Sequence, residues 1–282
     1  MRPEQAGFTV LELLIASALG VGVIFMAVTG LGTARQSQQI ELAYHRLNDN
    51  ARLATDLLRQ ALQRAGQPGC HPAFRRNLLA DGRDPAWPAV EISPDGALTV
   101  TAFRAVFEAN VLAGREGEAV LALDRAHDIA PGTPVVVRAS SSDDCVLFIH
   151  TGEDQQALSR APGGDGADNR LPATGYQALA GAVTVFALEP VIFEVGPSST
   201  HAAVRSLYRR RASAHYRREE LVVGVETLSG RRLTHSDDLT QASPTIAVSL
   251  ALEISSGRAE TPDMEALRRP VDLTVALRHQ PL

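Results

Sequence analysis

The sequence predicts an α+β protein in which one long N-terminal helix packs on a β-rich globular head. An apolar run from Phe8 to Leu31 passes without a break into a helically periodic segment that ends near residue 66. Beyond Cys70 the pattern changes to short alternating segments separated by Gly, Pro, Asp and Ser, which is typical of strands and turns. These two observations divide the chain into a stalk and a head.

The apolar run at 8–31 is long enough to cross a bilayer, since about 20 residues suffice. Its only charged residue is Glu12, and a carboxylate at bilayer depth is costly unless it is paired. The run is too long for the apolar core of a cleavable secretory signal. A plain uncleaved signal anchor is the simplest alternative, but it does not account for Glu12.

Residues 32–66 are predicted to continue the same helix in amphipathic form, because apolar residues recur at spacings of three and four. A helix from Phe8 to Ala65 would be roughly 85 Å long. A glycine- and proline-rich segment at 66–69 ends it. The apolar positions are Ile40, Tyr44, Leu47, Ala51, Ala54, Leu58, Ala61 and Ala65.

The head, residues 67–282, contains nine segments with strand character, and residues 151–175 are predicted to be a mobile surface loop. The predicted strands are 98–107, 119–123, 134–139, 145–150, 182–195, 203–210, 220–228, 246–255 and 271–278.

The two cysteines, Cys70 and Cys145, both follow the apolar run. If the head is exported, they could form one disulfide that closes a loop of about 75 residues. Two unpaired buried thiols are the alternative.

The sequence contains no motif that indicates an enzyme, a cofactor or a metal site: HExxH, GxSxG, the P-loop and GxGxxG are all absent. The formal net charge of -5 gives no overall electrostatic case for nucleic acid. Asp165, Asp168 and Asn169 could offer oxygens to Ca²⁺, but they lack the regular ligand ladder of an EF-hand, so a solvated turn is expected.

One local basic patch could bind the DNA backbone through salt-sensitive phosphate contacts. The alternative is a β-hairpin whose exposed arginines lie near Glu219 and Glu220. The patch consists of Arg205, Arg209, Arg210 and Arg211, followed by Arg217 and Arg218.

The hexapeptide Gly-Phe-Thr-Val-Leu-Glu at 7–12 closely resembles the class III signal of type IV prepilins. The resemblance implies that a membrane aspartyl prepilin peptidase removes the leader, residues 1–7, by cutting between Gly7 and Phe8. It also implies N-methylation of Phe8 and makes Glu12 the fifth residue of the mature chain. The leader departs from the family in having one basic residue, which is offset by an acidic one.

Cleavage would create an α-amino group on Phe8, four residues before Glu12 and on the same helical face. An ammonium and a carboxylate near the membrane core are each costly alone and less costly as a pair. The pair could close within one chain. The resemblance instead implies that Glu12 takes the Phe8 amine of a neighbouring subunit, which would set the stagger between subunits during assembly.

Segments of the head resemble the PilW-like minor pilins of the type IV pilus, in the order in which that family has them: 65–70, 130–145, 206–228 and 271–279. The resemblance implies a type IV pilin-like lollipop fold. It implies a minor pilin at or near the pilus tip that primes pilus assembly, for adhesion and twitching motility. The implied partners are other minor and major pilins, the inner-membrane assembly platform and the lipid bilayer.

The implied location is the inner membrane, crossed once with the head in the periplasm, and then the pilus. Two alternatives stay open. A J-type minor pseudopilin of type II secretion shares the stalk and a β-rich head. A membrane-anchored periplasmic module for adhesion or DNA binding would carry the same anchor without ever polymerising.

Overall fold

In the residues that it describes, the computed structural model has one long helix, α1, packed on a β-rich domain of thirteen strands, which confirms the α+β architecture. It describes residues 10–71, 75–79, 87–113, 119–142, 144–160, 169, 179, 181–201, 203–211, 217–234, 245–256 and 266–278. The elements are α1 (Val10–Gln63), β1 (Arg75–Asn77), β2 (Val90–Ile92), β3 (Leu98–Ala113), β4 (Val120–Leu123), β5 (Pro134–Ala139), β6 (Cys145–Ile149), β7 (Ala157–Ser159), β8 (Gly181–Pro197), β9 (Arg205–Arg211), β10 (Glu219–Val223), β11 (Val225–Thr234), β12 (Thr245–Ser255) and β13 (Arg268–Ala276).

Helix α1 runs for 54 described residues, which is about 80 Å at 1.5 Å per residue. Only its second half packs on the head. The buried stripe recurs every three or four residues and so follows one face of the helix. Tyr44 is 53% exposed and Ala43 is buried in its place, so the predicted face is wrong by one residue at that point. The buried helical residues are Ala43, Leu47, Ala51, Ala54, Leu58 and Leu62.

The larger sheet has ten strands in the described part of the chain and is built on the long antiparallel pair β3 and β8. Its order is β1-β6-β5-β8-β3-β4-β7, with β2 added to β3 and the β9–β10 hairpin added to β8. Strand β8 has 17 residues, so its first half can pair with β5 while its second half pairs with β9. Strand β8 therefore lies between the β9–β10 hairpin and the start of β3.

The smaller sheet is antiparallel, in the order β11-β12-β13. The sequence predicts one strand over 220–228, but Gly224 divides it between the two sheets. Gly224 has φ +89°, and a Cβ there would lie 2.6 Å from the carbonyl oxygen of Ser255. Its carbonyl accepts a hydrogen bond from the Ser255 amide at 2.7 Å. A glycine is therefore needed where the chain leaves β10 and enters β11.

The predicted loop over 151–175 is wrong in two places. Strand β7 pairs with β4 inside this range, and Asn169 is buried and bridges to Leu79. The sequence does not predict the three-residue strands β1, β2 and β7, because a run of three residues is too short to reveal an alternating pattern. Strand β3 extends past the predicted 107 to Ala113, with a bulge after Ala105.

The main core lies where α1 meets both sheets. Leu58 and Leu62 of the helix are fully buried in one cluster with Leu98 of the larger sheet and Val248 and Ile254 of the smaller one. Burying a leucine or isoleucine side chain contributes about 1.5–3 kcal/mol. The helix therefore holds the two sheets together as well as carrying the head.

Candidate functional site

Within the described part of the chain, α1 is the one helix long and apolar enough to cross a membrane. Its large apolar side chains from Val10 to Leu31 are exposed. Glu12 lies in its first described turn, and its side chain is also exposed. The expected cleavage site at Gly7 and Phe8, with the rest of the leader, lies outside the described residues.

The apolar half of α1 stands clear of the head. The first buried residue of the helix is Ala43, twelve residues beyond Leu31 and so about 18 Å further along the axis. A membrane could therefore enclose the apolar half up to Leu31 without touching the head. The same exposed surface could equally pack against other helices.

The junction between stalk and head is a hydrogen-bonded segment. Helix α1 ends at Gln63, and the chain turns at Gly66, where φ is +68°. The Gly66 amide donates to the carbonyl of Thr101 at 2.8 Å, and the Phe103 amide donates to the carbonyl of Gln67 at 2.9 Å. These bonds attach the end of the stalk directly to β3.

A disulfide between Cys70 and Cys145 closes the junction, with their Cα atoms 6.6 Å apart. The sequence left open whether the two cysteines pair or stay as thiols. Both are buried, in a cluster with Phe103 and Phe186. Gly69, with φ +73°, lets the backbone approach these rings, since a Cβ there would lie 3.2 Å from each Phe Cβ.

The arginine patch lies mainly on the β9–β10 hairpin, where Arg209 is paired in register with Glu219. The Arg209 guanidinium donates two hydrogen bonds to Glu219 Oε2, at 3.2 Å from Nε and 2.6 Å from the terminal nitrogen. Arg211 lies 3.7 Å from Glu189 on β8. The predicted hairpin and the proximity to Glu219 are thus present in the structure.

Arg218 is held by two contacts, an ion pair with Glu194 at 2.8 Å and a cation–π contact 3.7 Å above the Tyr208 ring. Arg205 donates to the carbonyl of Val195 at 3.2 Å. Arg210 and Arg217 are exposed. The structure therefore brings the cluster together, but it pairs three of its arginines, Arg209, Arg211 and Arg218, with carboxylates.

Glu220, next to this hairpin pair, is held by serines from the β8–β9 connection. Ser198 Oγ donates to Glu220 at 2.6 Å, and Ser199 donates through its amide at 3.1 Å and through its hydroxyl. Desolvation opposes the charged form, but these hydrogen bonds outweigh it and lower the pKa of Glu220 to about 2. The carboxylate fixes the connection against the hairpin.

Two histidines that are far apart in the sequence meet in the second core of the head. The rings of His127 and His150 are 5.1 Å apart in an edge-on contact, and His127 stacks on Phe107. Burial, and then the neighbouring His127, lower the pKa of His150. Only the fold reveals this pair, because neither residue lies in a spaced motif.

The candidate Ca²⁺ ligands are not gathered in the described structure. Asp165 and Asp168 lie outside the described residues. The side chain of Asn169 accepts a hydrogen bond at Oδ1 from the Ile149 amide at 2.9 Å, and its Nδ2 donates to the Ile149 carbonyl at 2.7 Å. Asn169 is therefore buried against β6, which corrects the expectation of a solvated turn at this residue.

A scan against protein-family models and searches of the curated proteins and of the solved structures find no match to this chain.

Proposed function

We propose that this chain is a PilW-like minor pilin of the type IV pilus. In this proposal prepilin peptidase processes it at Gly7 and Phe8 in the inner membrane. The chain then enters the pilus at or near its tip, with other minor and major pilins, and primes assembly. The mature protein has a single membrane-spanning stalk, and its head is in the periplasm before assembly.

One observation carries the proposal: the exposed apolar half of α1 has a single charge, Glu12, in its first described turn. In a simple membrane anchor, a carboxylate at that depth only costs free energy. In a subunit that pairs with the α-amino group of a neighbour, the same carboxylate contributes an ion pair. The clearance between Leu31 and Ala43 leaves this half accessible to other subunits.

The experiment that tests the proposal replaces Glu12 with Ala in a strain that lacks the wild-type chain. Processing and methylation of Phe8 continue, because the cleavage site is intact. Assembly fails, so sheared pili contain little of the variant and the cells carry fewer pili. Mass spectrometry of the membrane fraction and immunoblots of sheared pili give the two readouts.

Glu41→Ala is the matched control, since Glu41 is an exposed carboxylate on the same helix beyond the membrane segment, 3.9 Å from His45. It is expected to assemble as the wild type does. Normal piliation and normal incorporation of the Glu12→Ala variant would contradict the assembly role of Glu12.

A further inference from the structure

A groove of about 440 Å³ runs between the flank of α1 and a strip of the larger sheet. Leu57 and Ala61 of α1 form one wall together with Arg64, just beyond the end of the helix, and Ala102 of β3 and Val191 of β8 lie on the sheet side. The floor of the groove is apolar, because Val100, Val191 and Phe193 line it.

The groove exists because α1 covers only part of one sheet face. Val100 and Ala102 lie two residues apart on β3 and therefore share a face. Val100 is buried in the helix-facing core, whereas Ala102 is only half-buried. Since α1 ends at Gln63, the described helix does not extend over the strip beyond Val100.

The rim of the groove is positively charged. It carries Arg64, Arg104, Arg209 and Arg211 with Glu189. Glu189 lies 3.5 Å from Arg104 and 3.7 Å from Arg211, and Glu219 pairs with Arg209. In this part of the described structure, the four arginines therefore outnumber the two carboxylates, and the net charge is +2. An occupant with acidic side chains would balance them.

We propose that this groove binds an acidic amphipathic helix of a partner polypeptide. Leu57 and Ala61 are four residues apart on α1 and so lie on one ridge of the helix against which a second helix can pack, and Arg64 follows just beyond the end of the helix. The small side chains of Ala61 and Ala102 allow a partner helix to approach closely, so that its apolar face packs on the floor of the groove. The excess positive charge of the rim then faces the acidic side chains of the partner helix.

The position of the groove excludes a bilayer lipid as its occupant. Leu57 lies 26 residues beyond Leu31 in the sequence, which is about 39 Å along a helix axis. A lipid headgroup in the membrane that encloses the segment up to Leu31 cannot reach the groove, while a neighbouring protein can. This inference goes beyond the proposed function, because it concerns the head and does not depend on processing or polymerisation.

The test uses the full chain in detergent micelles and two fluorescent helical peptides of about 18 residues. Both peptides have the same leucine stripe, with Glu on the polar face of one and Lys on the polar face of the other. The Glu peptide is expected to bind saturably in fluorescence anisotropy, and 0.5 M salt weakens this binding. The Lys peptide is expected not to bind.

Variants of the groove locate the binding. Arg64→Glu lowers the affinity for the Glu peptide about tenfold, Ala102→Trp blocks the floor, and Arg64→Lys keeps the affinity. Arg231→Glu is the matched control, because Arg231 is exposed on the smaller sheet, outside the groove. Thermal melts verify that each variant is folded.

Three results would overturn the proposal. Equal binding of the two peptides would remove the charge argument. An equal loss of affinity for the Glu peptide in Arg64→Glu and Arg231→Glu would show that the peptide binds outside the groove. Concentration-dependent dimerisation that Ala102→Trp abolishes, seen by analytical ultracentrifugation, would identify a second copy of this chain as the occupant instead.

Discussion

The disulfide between Cys70 and Cys145 fastens the end of the stalk to the first residue of β6, at a sequence separation of 75. It lies seven residues beyond Gln63, the last residue of α1. The disulfide and the hydrogen bonds of Gly66 and Gln67 to β3 together attach the stalk covalently and non-covalently to the head.

Removing the disulfide should lower the stability of the head substantially. For a loop of this length the chain-entropy description gives about 4 kcal/mol. We expect Cys70→Ser with Cys145→Ser to lower the free energy of unfolding by about 2–5 kcal/mol in urea titrations. The wild-type protein reduced with dithiothreitol is the control, and it should unfold at a urea concentration similar to that of the double variant. An unchanged midpoint in the double variant would contradict the stabilising role.

The buried stripe of α1 predicts a contrast between two leucines on the same helix. Leu58 is 0% exposed and Leu53 is 49% exposed. Leu58→Ala should cost about 2–5 kcal/mol in the free energy of unfolding of the head, because it leaves a cavity between the helix and both sheets. Leu53→Ala should change it by about 0.5 kcal/mol or less. Equal losses would show that the packed face has been assigned wrongly.

The pKa of Glu220 predicts a loss of stability in acid. Its pKa in the folded state is about 2, below the ordinary 4.5. As pH falls from 4.5 towards 2, the unfolded chain takes up a proton at this carboxyl before the folded chain does. The contribution of Glu220 is therefore complete above pH 4.5 and is lost across that window. Glu220→Gln should flatten this part of the curve of unfolding free energy against pH, and an unchanged slope would count against the serine contacts.

His150 predicts a second window at higher pH. Its pKa is lowered from the ordinary 6.5, mainly by burial. Below pH 6.5 the unfolded chain gains a proton that the folded chain does not, so the free energy of unfolding falls as pH decreases. His150→Asn keeps an acceptor for the Ser159 amide and should remove this slope. His201→Asn, at an exposed position, should retain it. A slope shared by both variants would rule out His150 as its source.

The arginine hairpin should not be a DNA-binding site. Glu219 and Glu189 lie next to Arg209 and Arg211 and balance their charges, so these two arginines add little net attraction for a phosphate backbone. Replacing Arg209, Arg210 and Arg211 with Gln should leave any gel shift of the full chain on duplex DNA unchanged. A shift present in the wild type and lost in this variant would restore the DNA hypothesis.

Local pattern predicted much of this fold. The spacing of Leu47, Leu58 and their neighbours predicts the packed half of α1, and the β5 strand was predicted with the bounds observed, Pro134–Ala139. Alternation could not reveal which sheet a strand joins. The division at Gly224 depends on a close approach to Ser255 from a distant part of the chain.

The candidate site was likewise predictable from the sequence only in part. Glu12 and the two cysteines stand out in the sequence by their residue type and position. The pairing of Arg211 with Glu189, the His127–His150 contact and the groove beside Ala61 arise from tertiary packing. No spacing within the sequence could have indicated them.

The mass of the mature N-terminal peptide tests whether the chain is processed as a prepilin. The chain is purified from membranes of a strain with active prepilin peptidase, with a peptidase-deficient strain as control. We expect loss of residues 1–7 and a peptide that begins with N-methylated Phe8 in the first strain only. An intact Met1 in both strains would contradict it.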